Sequence, residues 1–91
     1  MLRLNCFIRV SAEKKETVLE AAKRLTAASL EQDGCVAYDI FESAPRPDVM
    51  MICETWRDQA ALDAHSASEV FVREVGIMRA SAEMKLEVFE F

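Results

Sequence analysis

Residues 35–56 read "CVAYDIFESAPRPDVMMICETW", and the fold of the chain turns on how this stretch is read. Residues 35–43 and 49–56 are rich in β-branched, aromatic and long apolar side chains. Between them "SAPRPD" holds both prolines of the chain, which lack a backbone N–H and break helix and ladder alike. The pattern predicts a β-hairpin with strands 35–43 and 49–56. Both strands are apolar on two sides. Strict alternation points Val36, Tyr38 and Ile40 one way and Cys35, Ala37 and Phe41 the other. On the partner strand, Met50 and Ile52 oppose Val49, Met51 and Cys53. Helices can cover one face of such a sheet. The second face then needs a lid, and the expected lid is the same face of a second copy.

Working outward, residues 2–10 alternate between Leu2, Leu4, Cys6, Ile8 and Val10 on one face and Arg3, Asn5, Phe7 and Arg9 on the other. That is a strand. Ser11 is placed to cap a following helix, whose apolar positions Val18, Ala22, Leu25 and Ser29 recur at helical spacing. Gly34 is its expected left-handed stop. Past the hairpin, Asp58 can cap a short helix through Ala61, Leu62 and His65. "SASE" at 66–69 has the form of a capping box and opens a further helix with Phe71, Val75, Met78 and Ala82 on one side. Gly76 weakens that helix and is expected to permit close packing. "AEMKLEVFEF" alternates again and ends the chain as a strand. The order β-α-β-β-α-β predicts an α+β, ferredoxin-like sandwich: a four-stranded antiparallel sheet with helices on one face. In that order the first and last strands are neighbours, so Arg3 and Arg9 can face Glu83 and Glu87 across the ladder.

Ninety-one residues are expected to form a single domain over 1–91, with a modest core. The chain is 52% hydrophobic and 30% charged, a globular balance, and its net charge of −5 makes nucleic acid a poor partner. The N-terminal apolar stretch carries Arg3 and Arg9 and is too short to span a membrane. Cys6, Cys35 and Cys53 form no CxxC. With one histidine they make no usual zinc set, so no metal is expected. Reduced thiols in apolar runs suit a cytoplasmic protein.

The chemistry-bearing segment is 54–71, "ETWRDQAALDAHSASEVF", which holds the only tryptophan, Trp56, and the only histidine, His65. An imidazole titrates near neutrality, so His65 is either a polar residue that finishes a short helix or a candidate general base. Glu54 and Trp56, two apart on a strand, share a face. Glu54 is expected either to orient a partner or to pair with Arg57 or Arg73. Trp56 either fills the core at a strand end or forms an aromatic wall with Tyr38, whose hydroxyl can donate to a developing oxyanion. Met50, Met51, Met78 and Met84 could line an adaptable apolar pocket.

The stretch from 31 to 71 resembles the antibiotic biosynthesis monooxygenase family. The matching residues are Gly34 and Cys35 opening the second strand, Tyr38 further along it, Glu54 and Trp56 closing the third, and then Asp58, Ala61, Leu62 and His65. The resemblance implies a homodimeric α+β barrel with a pocket between sheet and helices in each subunit. It implies a cofactor-independent oxygenase that oxidises a small aromatic phenol or quinol with O₂, with no metal or flavin. His65 would be the base, and Tyr38, Glu54 and Trp56 would contact the substrate. The alternatives it leaves are a non-oxidative isomerase using the same histidine and a non-catalytic, stress-associated dimer that binds a small ligand. The match departs at Val70, where many quinol-oxidising relatives carry a second histidine. It departs also at Val75 and Cys6, where haem-degrading relatives carry histidine and asparagine, and this counts against haem degradation.

Overall fold

The computed structural model describes residues 1–91. The elements run β1 (Leu2–Val10), α1 (Lys15–Leu30), β2 (Cys35–Glu42), β3 (Val49–Trp56), α2 (Gln59–Ser66), α3 (Glu69–Arg79) and β4 (Ala82–Glu90). The strands form one antiparallel sheet in the order β2-β3-β1-β4, so the hairpin and the β1–β4 pairing both stand as the sequence suggests. This is the α+β, ferredoxin-like arrangement, with three helices against one face.

Register explains the core. Ile40, Ile52, Cys6 and Leu86 lie in one row across the four strands, and Tyr38, Glu54, Leu4 and Val88 in the next. Both rows face the helices. Ile8, Met50, Ile52 and Trp56 are almost wholly buried there against Val18, Leu25 and Met78. Coverage fades at β4, an edge strand, where Leu86 and Val88 are more than half exposed. On the open face, Phe41, Met51, Phe7 and Lys85 make a matching row, apolar over its first three positions.

Several local expectations change. Val36 is a bulge: Cys35 pairs with Trp56 and Ala37 with Thr55. The extra residue puts Cys35 on the same face as Tyr38, packed against the core, and leaves Val36 exposed. Ser11 does not cap α1; its carbonyl accepts from Lys14 N–H at 3.1 Å in a turn, and the helix starts at Lys15 without a side-chain cap. Ser66 ends α2. The cap of α3 is Ser68, whose Oγ accepts from Phe71 N–H at 3.3 Å while its hydroxyl donates to the His65 carbonyl at 2.6 Å. One hydroxyl thus closes one helix and opens the next, and Glu69 becomes the first helical residue instead of the third. Ala82 begins β4 instead of continuing α3. A Cβ at Gly76 would meet nothing within 4 Å, so that glycine serves no close packing. Arg9 does face Glu83 in register, yet its side chain reaches Asp48 at 3.4 Å; Arg3 faces Phe89 and lies over the Phe91 ring.

Candidate active site

The site is built from the second and third strands and the short helix α2. Tyr38 and Glu54 are direct partners across the β2–β3 ladder, and Trp56 follows Glu54 by two, so all three side chains project to the helix side. Asp58 then turns the chain: its carboxylate accepts from Ala61 N–H at 2.9 Å and starts α2. One turn on from Ala61, His65 faces the same way as Ala61, into the sheet.

A close approach fixes where α2 sits. Gly34 has φ +82°, a backbone conformation costly for any residue with a Cβ, and a Cβ built there would lie 2.4 Å from that of Ala61. Arg57 N–H donates to the Gly34 carbonyl at 2.8 Å, and the Arg57 guanidinium bridges Asp33 and Asp58. The turn after α1 is therefore pressed against α2. This brings Gln32 to His65, with Gln32 Oε1 2.7 Å from His65 Nδ1.

His65 is 2% exposed and sits in an aromatic box. Trp56 lies against its ring at 4.4 Å between centroids and 34° between planes; Phe71 meets it edge-on at 5.0 Å, and Tyr38 at 5.7 Å. Its Nε2 is buried and has no hydrogen-bond partner. The nearest charged atom to it is Glu54 Oε1, 3.9 Å away, beyond hydrogen-bond length. That same Glu54 oxygen accepts from Trp56 Nε1–H at 2.9 Å.

A cavity of about 130 Å³ opens beside these groups, between sheet and helices. Leu4, Cys6, Leu25, Ile52, Val75, Met78 and Met84 give it an apolar lining, and Tyr38, Glu54 and His65 are the polar or titratable groups in its wall. Exposed residues Ser66, Arg79 and Leu86 stand at its rim. A dry apolar cavity of roughly 150 Å³ holds one benzene ring, so the space here matches a single ring. Of the methionines, Met78 and Met84 line it; Met50 is buried in the core and Met51 lies on the open face.

Burial sets the electrostatics. It pulls the His65 imidazole down from 6.5 to about 4, so the ring is neutral at neutral pH. Burial raises the Glu54 carboxyl, opposed by the Trp56 N–H it accepts. Burial, with the Glu54 charge, raises the Tyr38 phenol, which therefore stays a hydrogen-bond donor. Burial also pushes the Cys6 thiol up to about 11, which removes it as a nucleophile at neutral pH. No group of three His, Cys, Asp or Glu side chains is arranged to hold a metal ion.

His65, Tyr38, Glu54 and Trp56 thus come together. Two details narrow the sequence reading. Trp56 is not part of the cavity wall; it backs the imidazole and holds Glu54. Of the two alternatives for Glu54, the surface ion pair is absent: the residue is buried on the helix side, while Arg57 reaches Asp33 and Asp58 and Arg73 reaches Glu74. Gln32 was missed. Its only sequence signal is its place two residues before the stop glycine, which does not say where a side chain will land.

The profile of the family described as antibiotic biosynthesis monooxygenase matches residues 1–74. The chain belongs to that family. Among curated relatives, YcnE of Bacillus subtilis (strain 168), whose monooxygenase name is provisional, is 32% identical over 71 residues, covering 78% of this chain and 75% of its own. Among solved structures, a conserved protein of unknown function from Bacteroides thetaiotaomicron VPI-5482 superposes with a TM-score of 0.98 at 54% identity, over 99% of this chain and 96% of that one. The crystal structure of an antibiotic biosynthesis monooxygenase superposes with a TM-score of 0.92 at 28% identity, over 100% and 98%. Within this family member, no helix is long and apolar enough to cross a membrane.

Proposed function

We propose that this chain is a cofactor-independent monooxygenase acting on a small hydroxylated aromatic, with His65 as the base. One observation carries the reading: a buried, neutral imidazole whose Nε2 has no partner belongs to the wall of a ring-sized apolar cavity. A ring hydroxyl entering that space would give its proton to Nε2. Tyr38 O–H would donate to the phenolate oxygen so formed, and Glu54, when ionised, would offset the imidazolium 3.9 Å away. The apolar wall keeps water off the anion. The anion passes one electron to O₂, and the resulting phenoxyl radical and superoxide combine at the ring carbon opposite the oxygen. The peroxide collapses with loss of the ring C–H proton. One oxygen atom stays as a quinone carbonyl; the other, with two protons, leaves as water. The phenol is oxidised by four electrons and O₂ is reduced by four.

The low basicity of His65 narrows the substrate. A plain phenol near pKa 10 is about 6 units less acidic than a His65 imidazolium, a gap of about 8 kcal/mol. An ion pair at about 4 Å and an effective dielectric near 20 returns about 4 kcal/mol. The remainder asks for a hydroxyl several units more acidic than phenol, as in a ring conjugated to a carbonyl. Arg79, a cation at the rim, favours such an acid.

A second copy completes the proposal. Phe41, Phe7 and Phe89 are 51%, 40% and 49% exposed on the open sheet face, with Met51 between the first two. Sheet-to-sheet pairing would bury these side chains and leave one cavity in each subunit. The test is an oxygen electrode with a panel of one-ring and fused-ring hydroxyaromatics of graded acidity. Uptake with acidic one-ring members, cut by about 10²-fold or more in His65→Gln, supports the reading. Uptake with none, or undiminished uptake in the variant, removes it.

A further inference from the structure

We infer that Gln32 is a positioning residue that sets the tautomer of His65: by accepting from Nδ1–H it leaves Nε2 as the nitrogen with the bare lone pair, on a ring that belongs to the cavity wall. The inference rests on His65 being the base of the proposed reaction, but the feature it describes can be observed without any turnover.

A neutral imidazole carries one proton, and only the nitrogen without it can accept another. Which nitrogen that is depends on the partners. Around His65 there are two candidates. Gln32 Oε1 lies 2.7 Å from Nδ1, a full hydrogen bond. Glu54 Oε1 lies 3.9 Å from Nε2, which is no hydrogen bond, and that oxygen already accepts from Trp56 at 2.9 Å. A proton on Nε2 would leave a buried N–H without an acceptor and would force the Gln32 carboxamide to turn its NH2 toward Nδ1 in place of the oxygen that lies there at 2.7 Å. A proton on Nδ1 satisfies both atoms. What remains is a partnerless lone pair at Nε2, waiting for a ligand hydroxyl.

The backbone holds Gln32 for this task. Its own N–H donates to the Ser29 carbonyl at 3.0 Å, and its carbonyl accepts from Cys35 N–H at 3.2 Å, so it is tied to the end of α1 and the start of β2. The contact of Gly34 with Ala61 then fixes the separation from α2. A carboxamide suits the site better than a carboxylate. It accepts the bond without a charge, so the imidazole can lose its extra proton again after each cycle. A second-position acceptor that orients a histidine ring is a recurrent device where one nitrogen must stay free.

The test uses the fact that His65 is the only histidine. Protein grown with ¹⁵N-histidine gives one pair of ring-nitrogen resonances at neutral pH, with no substrate present. The expected spectrum of the wild type is a protonated-type Nδ1 and a lone-pair-type Nε2. In Gln32→Ala the Nε2 signal loses its lone-pair character as the proton moves to that nitrogen, the form free imidazole side chains favour in water. In Gln32→Leu, which keeps the bulk of the side chain without an acceptor, the same change is expected. A wild type already protonated at Nε2 overturns the inference, as does a folded Gln32→Ala or Gln32→Leu whose resonances do not move. If Gln32→Ala fails to fold, the wild-type and Gln32→Leu spectra still decide. If the tautomer is as expected but oxygen uptake does not need His65, the positioning stands and the proposed base role falls.

Discussion

Lowering the pH should destabilise this fold through His65 before it does so through most of the carboxylates. The folded imidazole titrates at about 4 and the unfolded one at 6.5. A folded pKa below the unfolded one means that the unfolded chain binds more protons between the two values. The stability contributed by the neutral ring is therefore complete above about pH 6.5 and is lost as pH falls toward 4. The full difference of about 2.5 units corresponds to about 3 kcal/mol, and the portion lost between about pH 7 and pH 5 is about 2 kcal/mol. Glu54 works in the opposite sense. Its raised folded pKa means that protonation on acidification relieves a buried charge, so its contribution grows as pH falls. Asp33, Asp58 and Glu74 have lowered pKa values, and their contributions are lost further down, as pH falls from the ordinary carboxylate range toward those lowered values. The His65 contribution is isolated by difference. Urea unfolding of wild type and His65→Gln at one fixed protein concentration, at about pH 7 and pH 5, should show the wild type losing about 2 kcal/mol more than the variant. Parallel losses in the two proteins would refute the claim that burial keeps this imidazole neutral.

Three further outcomes follow from the packing. Gly34→Ala should cost at least about 2 kcal/mol in chemical denaturation, because a left-handed backbone and a Cβ 2.4 Å from that of Ala61 act together; an unchanged midpoint would contradict the close approach. Gly76→Ala should do the reverse and stabilise by about 0.5–1 kcal/mol, since the added methyl meets nothing within 4 Å and the helix gains propensity. Met51→Glu, which puts a charge into the Phe41–Met51–Phe7 row, should convert a dimer to monomers in sedimentation at micromolar concentration; a wild type already monomeric there would remove the proposed pairing.

The order of the elements was legible because two periods, 3.6 and 2, repeat long enough in the chain to be told apart. Single-residue devices were equally legible where one residue type serves one purpose: Gly34 at positive φ and Asp58 capping α2 stand where the sequence put them. Choices between equivalent residues were not. Ser66 and Ser68 can each cap a helix, and the one that does so is the one whose hydroxyl also reaches the His65 carbonyl. The bulge at Val36 leaves no mark in composition, yet it turns Cys35 to the other face. The gathering of His65, Tyr38 and Glu54 could be read from strand parity and the helix that follows. The partners that set their chemistry could not. Glu54 finds Trp56 on its own strand instead of a surface arginine, and Gln32 arrives from a turn 33 residues away in the chain.

The most direct test is the fate of ¹⁸O₂ during turnover of an acidic hydroxyaromatic by the wild type and by His65→Gln. The expected result is one labelled atom in the quinone carbonyl and the other in water, with the rate falling about 10²–10⁴-fold in the variant. A product free of label, or one labelled just as fast without the imidazole, would contradict deprotonation by His65 as the step that opens the substrate to oxygen.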